Sequence, residues 1–148
     1  MLCAALLGSG LKIALNKGNP KLNLGPGAGQ NEASLCEFAD ISLLHESSEE
    51  EIKNKLAPFI TGGFKIESIK EVPYGISSVE VLASHAAYTV KTEGREAIEI
   101  IIRLDDLRSL GMAQILLTWP GLEVGEHQPE ILRTALLWQK ADGTLAAV

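Results

Sequence analysis

One arginine, Arg133, stands inside the apolar run ILRTALLWQ. A buried cation without a counter-charge is costly, so Arg133 must either point off the apolar face or find an anion. A carboxylate partner at a strand edge is the plainer outcome, and a bound ligand anion the sharper one. The chain's acid-free segment supplies a second candidate, because residues 1–31 hold Lys12, Lys17 and Lys21 and no Asp or Glu. Within it, NPKLNLGPGAG runs from Asn19 to Gly29. Gly25, Gly27 and Gly29 suit the presentation of backbone N–H groups to a phosphate, although Pro26 removes one donor and the Lys and Ser/Thr of a P-loop are missing. A structural turn explains the same glycines without a ligand. If this loop meets Arg133 in space, Asn19, Lys21, Gly25, Gly27, Gly29 and Arg133 make one anion-binding set.

The other reactive side chains are less ordered in their spacing. His45, His85 and His127 form no close pair and no HExxH pattern, so a zinc site has no local signal and each reads as a surface or capping residue. Cys36 lies between apolar Leu35 and acidic Glu37, a setting that does not suit an activated thiolate, and a core position is expected. Gly8-Ser9-Gly10 lacks the five-residue G-x-S-x-G frame and reads as a helix stop.

The chain has 148 residues, 46% of them apolar and 22% charged, which fits one folded domain rather than a disordered or disulfide-built chain. Residues 32–148 carry 10 basic and 19 acidic side chains, a net charge of −9 that disfavours a nucleic-acid footprint. Two cysteines, Cys3 and Cys36, imply no disulfide framework and point to a reducing cytoplasm. The opening MLCAALLGSGLKIAL has no cation before its apolar run and is too short to span a bilayer, so no membrane association is expected. Residues 1–7 read instead as the last turns of an uncapped core helix, ended by the glycines at 8 and 10, which suggests an element missing ahead of Met1 and an exposed apolar patch or sheet edge there.

The elements that must position these residues follow from periodicity. Strands are expected over 37–44, 64–72, 87–91, 98–104 and 131–138, the clearest being 98–104, where Ile98, Ile100, Ile102 and Leu104 alternate with Glu99, Ile101 and Arg103. A helix opened by Ser47 or Ser48 places Ile52, Leu56, Phe59 and Ile60 on one face, and Pro58 with Gly62-Gly63 ends it. Shorter helices are expected near 77–84 and 107–116, and Asp142-Gly143 offers a hairpin into 144–148. This order predicts an α+β fold, ferredoxin-like or related, with one predominantly antiparallel sheet and helices on one face.

Several segments together resemble a known family. ALLGSGLKIAL, GNPKLNLGPGAG, ASLCEFADISL, the Ser/Glu-opened helix, FKIESIKEVP, SVEVLASHAAYTV and ILRTALLW are similar to the radical SAM-linked protein family, a bacterial domain of unknown function. The likeness extends over nearly the whole chain. Its most specific parts are the Asn-Pro loop leading to Gly-Pro, the Glu37-Phe38 pair, the Ala-Ala-Tyr strand and the Arg-Thr-Ala-Leu stretch at Arg133 to Leu136. Family members usually begin with a basic strand and a Ser-His-Leu-Asp-like segment, whereas this chain begins after that point. Its loop is also shorter than the usual Gly-aromatic-Asn-Pro-x-Pro form, and the family's Leu-Pro-x-Gly stretch corresponds only to residues 27–31.

The resemblance implies an accessory or substrate-binding domain that works with a radical SAM protein, the partner using S-adenosylmethionine and an iron–sulfur cluster. This chain lacks three closely spaced cysteines to hold such a cluster, so no cofactor of its own is expected. The alternative is a small stand-alone enzyme or binder acting on a phosphorylated or nucleotide-like ligand through Lys21, the loop at residues 25–29 and Arg133. An RNA-handling domain is disfavoured by the acidic body.

Overall fold

The computed structural model describes residues 2–29, 31–62, 65–73, 75–125 and 127–148. In chain order the elements are α1 (Leu2–Gly8), β1 (Leu15–Asn16), β2 (Asn19–Pro20), β3 (Leu22–Leu24), β4 (Glu32–Ser34), β5 (Ala39–Ile41), α2 (Glu49–Leu56) with a 3-10 turn at Ala57–Phe59, α3 (Val79–Leu82), β6 (His85–Lys91), β7 (Ile98–Arg103), α4 (Leu104–Leu110), α5 (Met112–Thr118), β8 (Glu130–Gln139) and β9 (Leu145–Ala147). The fold is α+β. It divides into two compact units, one of Met1–Asn23 and Ala39–Ile76, the other of Leu24–Phe38 and Ser77–Val148.

The first unit is built on a small apolar cluster of Leu6, Leu11, Ile13 and Leu56, with Leu22, Ile41, Ile52 and Ile60 packed around it. Helix α2 starts where expected: the Ser48 hydroxyl accepts a hydrogen bond from the Glu51 amide at 3.1 Å, and Glu49, Glu50 and Glu51 occupy the positive end of the helix. Close approach explains Gly8, since a Cβ there would stand 2.9 Å from the Phe59 ring. Strands β1 and β2 form a hairpin whose loop residues Lys17 and Gly18 both have positive φ, 50° and 83°. That geometry matches the right-handed twist of the strands.

Two expectations for this unit are corrected. Residues 65–73 form no strand, and Phe64, where the expected strand began, lies outside the described residues, as do Met1, Gln30 and Gly63. The reason lies in spacing: Ile66, Ile69 and Val72 recur every three residues, which cannot keep one face of an extended chain inward. The strand expected over 37–44 shortens to β5 and pairs with β3 in a sheet of its own. Helix α2 packs Leu56 and Ile52 into the first unit's own apolar cluster.

The second unit holds a five-stranded sheet, with β4, β8, β6 and β7 side by side and β9 also paired to β8. Its core takes alternate residues from each strand: Ala86, Tyr88 and Val90 from β6, Ile100 and Ile102 from β7, and Leu136 from β8. Leu104, Ile115 and Leu116 of the helices α4 and α5 complete the cluster. The single helix expected near 107–116 is two helices, because Gly111 with φ of 75° breaks the path between them. β4 and β8 run parallel while β6–β7, β6–β8 and β8–β9 run antiparallel. This order and the parallel pair depart from the ferredoxin-like sheet that the element order suggested.

Candidate functional site

Strict alternation along β8 would send Arg133 and Leu136 to opposite faces, because they are three residues apart. Both are buried, and their cross-strand partners Tyr88 and Ala86 are two residues apart on β6, which puts them on one face. A register shift reconciles the two: Ala87 pairs with Ala135 and Tyr88 with Arg133, so Thr134 is an extra residue in β8. The bulge re-aims Arg133 inward. Thr134 is itself anchored, its hydroxyl donating to the Ala87 carbonyl at 3.3 Å.

Once turned inward, Arg133 is fully buried and its guanidinium is gripped by the segment that enters the unit between Leu24 and Phe38. Nη1 donates to the Pro26 carbonyl at 2.6 Å, and Nη2 donates to Glu37 Oε1 at 2.6 Å. Weaker contacts run from Nε to Ser34 Oγ at 3.3 Å and from Nη2 to the Cys36 carbonyl at 3.5 Å. The backbone is tied at the same place, where the Leu35 amide donates to the Arg133 carbonyl at 2.9 Å beyond the parallel pairing of Ser34 with Arg133. Two short charge-assisted bonds dominate the grip.

Tyr88 is the cross-strand neighbour of Arg133 on β6 and is also fully buried. Among the described residues its hydroxyl has no hydrogen-bond partner. Burial, reinforced by the nearby Glu32 carboxylate and opposed by Arg133, pushes the phenol up to about 12. The guanidinium therefore acts on Tyr88 through its charge, without a bond that meets hydrogen-bond geometry.

The Gly-rich loop and Arg133 thus meet through the Pro26 carbonyl. Its glycines differ in surroundings. The Gly25 amide donates to the Phe38 carbonyl at 2.9 Å, and a Cβ on Gly25 would stand 3.3 Å from both Phe38 Cβ and Val79 Cγ1. The Gly29 amide donates to Glu32 Oε2 at 3.0 Å, so the loop's own carboxylate occupies that donor. Gly27 is exposed, with open space where a Cβ would point. Asn19 and Lys21 belong to the first unit: Asn19 pairs with Asn16 in the β1–β2 hairpin, and the Lys21 amide donates to the Ala14 carbonyl at 2.7 Å.

Cys36, expected in the core, is half-buried at the site, its amide donating to Ser34 Oγ at 3.2 Å. His45 is exposed, His85 Nδ1 lies 2.9 Å from Ser84 Oγ, and His127 pairs with Glu93 at 2.7 Å on the surface. Among the described residues, no three His, Cys, Asp or Glu side chains gather as metal ligands, and no helix is long and apolar enough to cross a membrane. Sequence reasoning missed the roles of Ser34, Glu37 and Tyr88. From the residues themselves, the signal for a partner was the electrostatic demand of Arg133.

In comparisons with protein-family models, curated proteins and solved structures, nothing matches this chain. The likeness to the radical SAM-linked family therefore rests on the sequence segments named above.

Proposed function

We propose that this chain is an accessory, substrate-binding domain that receives an anionic group of its ligand, a carboxylate or phosphate, at Arg133. The observation that carries this reading is Glu37. A buried arginine needs an anion, and among the described residues its only charged partner is a loop carboxylate whose side chain is 42% exposed. The Pro26 and Cys36 carbonyls and the Ser34 hydroxyl are fixed dipoles that hold the guanidinium in place. Glu37, the partly exposed carboxylate on Nη2, is the exchangeable member. An incoming anion takes its place at Nη2, with the Ser34 hydroxyl nearby and open space at Gly27. Tyr88, held in its protonated form, adds a hydroxyl beside the guanidinium. A cytoplasmic setting and a radical SAM partner complete the reading, both carried by the sequence.

Titration calorimetry with orthophosphate and with succinate as probes tests it. Glu37→Gln removes the competing charge and keeps the side chain's shape. Anion affinity should rise about tenfold or more, since a hydrogen bond to a charged group is worth about 1.5–3 kcal/mol. Arg133→Lys should lose that gain, because a point charge cannot hold the fork of contacts. A Glu37→Gln protein that binds neither probe more tightly than the parent refutes the reading. A second reading, that Arg133 is a structural clasp alone, is favoured by the internal partners on Nε, Nη1 and Nη2, and it predicts that result together with lower stability.

A further inference from the structure

Strand β7 is a six-residue edge of the second unit's sheet, paired on one side with β6 and on its other side with no strand among the described residues. The opposite edge is made of β4 and β9, each three residues long. Short edges resist pairing with other chains, whereas a long apolar edge invites it. The Leu104 amide donates to the Ser84 carbonyl at 2.9 Å, so the even-numbered residues of β7 face β6. By the alternation of antiparallel pairing, the amides of Glu99, Ile101 and Arg103 and the carbonyls of Glu99 and Ile101 face outward, while the Arg103 carbonyl, at the N-cap of α4, serves the helix's first turn. The side chains of these three residues share one sheet face, opposite to that of buried Ile100 and Ile102. Ile101 is 49% exposed. Glu99 and Arg103 are exposed too, and neither has an ion-pair partner among the described residues.

We propose that β7 pairs with β7 of a second copy of this chain, antiparallel about a twofold axis through Ile101. In that register Ile101 faces the partner's Ile101, and Glu99 of each copy faces the partner's Arg103. The two Ile101 residues then exchange a pair of backbone hydrogen bonds across the seam, and the Arg103 amide of each copy donates to the partner's Glu99 carbonyl. The twofold makes the contact isologous, so the edge is consumed and no fibre can grow. Charge selects this register over its neighbours. A shift of two residues either way sets Glu99 or Arg103 against Ile101 and leaves the charges without a partner. On the other face, Ile100 of one copy meets Ile102 of the next, so the apolar layer beneath the sheet runs on across the seam. A groove of about 530 Å³ beside the edge, lined by Ile101, Ile102, Leu110, Ile115 and Trp119 among others, gives the seam an apolar flank. Leu110, 58% exposed, is its most open apolar member. This inference is independent of the anion site.

Sedimentation equilibrium on the full chain and three variants is the test. The parent protein should be a reversible dimer. Glu99→Arg and Arg103→Glu should each weaken dimerisation by about tenfold or more, because every dimer contains the altered pair twice and each attraction becomes a repulsion. The double variant Glu99→Arg/Arg103→Glu restores opposite charges and should recover the parent's affinity. Hydrogen exchange supplies a second readout: dimer formation should protect the amides of Ile101 and Arg103, while those of Ile98, Ile100 and Ile102 are slow in the monomer already. A parent protein that stays monomeric at high concentration overturns the proposal. A dimer indifferent to both single substitutions, or one leaving the Ile101 and Arg103 amides unprotected, overturns it equally.

Discussion

Replacing Arg133 with alanine should unfasten the segment between Leu24 and Phe38 from the sheet. Of the guanidinium's four hydrogen bonds, two are short, at 2.6 Å to the Pro26 carbonyl and to Glu37, and the others lie at 3.3 and 3.5 Å. A bond to a charged group contributes about 1.5–3 kcal/mol, and contacts near 3.5 Å contribute little. The Glu37 share belongs at the low end, since its 42% exposed side chain regains water once released. The sum is about 3–4 kcal/mol. For a chain of this size that corresponds to a fall of about 10 °C in Tm. Arg133→Met keeps much of the volume and should cost about half as much. Urea unfolding followed by tryptophan fluorescence is the assay, because Trp119 and Trp138 both lie in the second unit and report on it directly. If the alanine variant is less stable by under about 1 kcal/mol, the clasp is disproved, because these bonds would then add nothing beyond what water offers the same groups.

Tyr88→Phe should be neutral or stabilising by up to about 1 kcal/mol in chemical denaturation, since it removes a buried hydroxyl without a partner, and a clear loss would reveal a bond that the hydroxyl makes. The phenol's raised folded value of about 12 also sets a pH dependence. Its contribution is complete below the unfolded value near 10 and is lost as pH rises through the folded one, so stability should fall by about 2 kcal/mol between pH 10 and 12. That slope should shrink in Tyr88→Phe, and an unchanged slope would count against the assignment. Gly25→Ala should cost about 1 kcal/mol through its 3.3 Å contacts with Phe38 and Val79, while Gly27→Ala, pointing into open space, should cost less than half of that; equal thermal shifts would contradict the packing argument. Ser48→Ala should destabilise the first unit by about 1 kcal/mol by freeing the Glu51 amide, measured as faster amide exchange in α2.

The parts of this fold that were legible are those set by local chemistry. The alternation from Ile98 to Ile102 named β7, and Ser48 followed by three glutamates named the start of α2. Arg133 announced an unmet electrostatic demand from within an apolar run. What answers that demand was hidden, because the Thr134 bulge shifts a period-two pattern by one residue and leaves no compositional mark. Ser34 meets Arg133 across 99 residues of sequence, through a parallel pairing that no local window contains. The Lys17-Gly18 hairpin escaped for a different reason. Lysine is an unusual occupant of the left-handed region, so the segment carried no turn signal. The Ile66 to Val72 stretch misled in the opposite direction, offering β-branched residues at a spacing that extended chain cannot use.

Glu37, on the reading proposed above, holds the place of a ligand anion on Arg133. Nuclear magnetic resonance can watch both partners at once, through the Arg133 Nε–H and the Glu37 carboxyl carbon, while orthophosphate is added to the parent protein at constant ionic strength. Saturable, simultaneous shifts are expected at both groups, with the Glu37 carbon moving to the value of a solvated carboxylate as the phosphate takes over its nitrogen. Both signals standing still through the titration, with the protein folded throughout, would contradict an exchangeable Glu37 and leave Arg133 as a structural clasp.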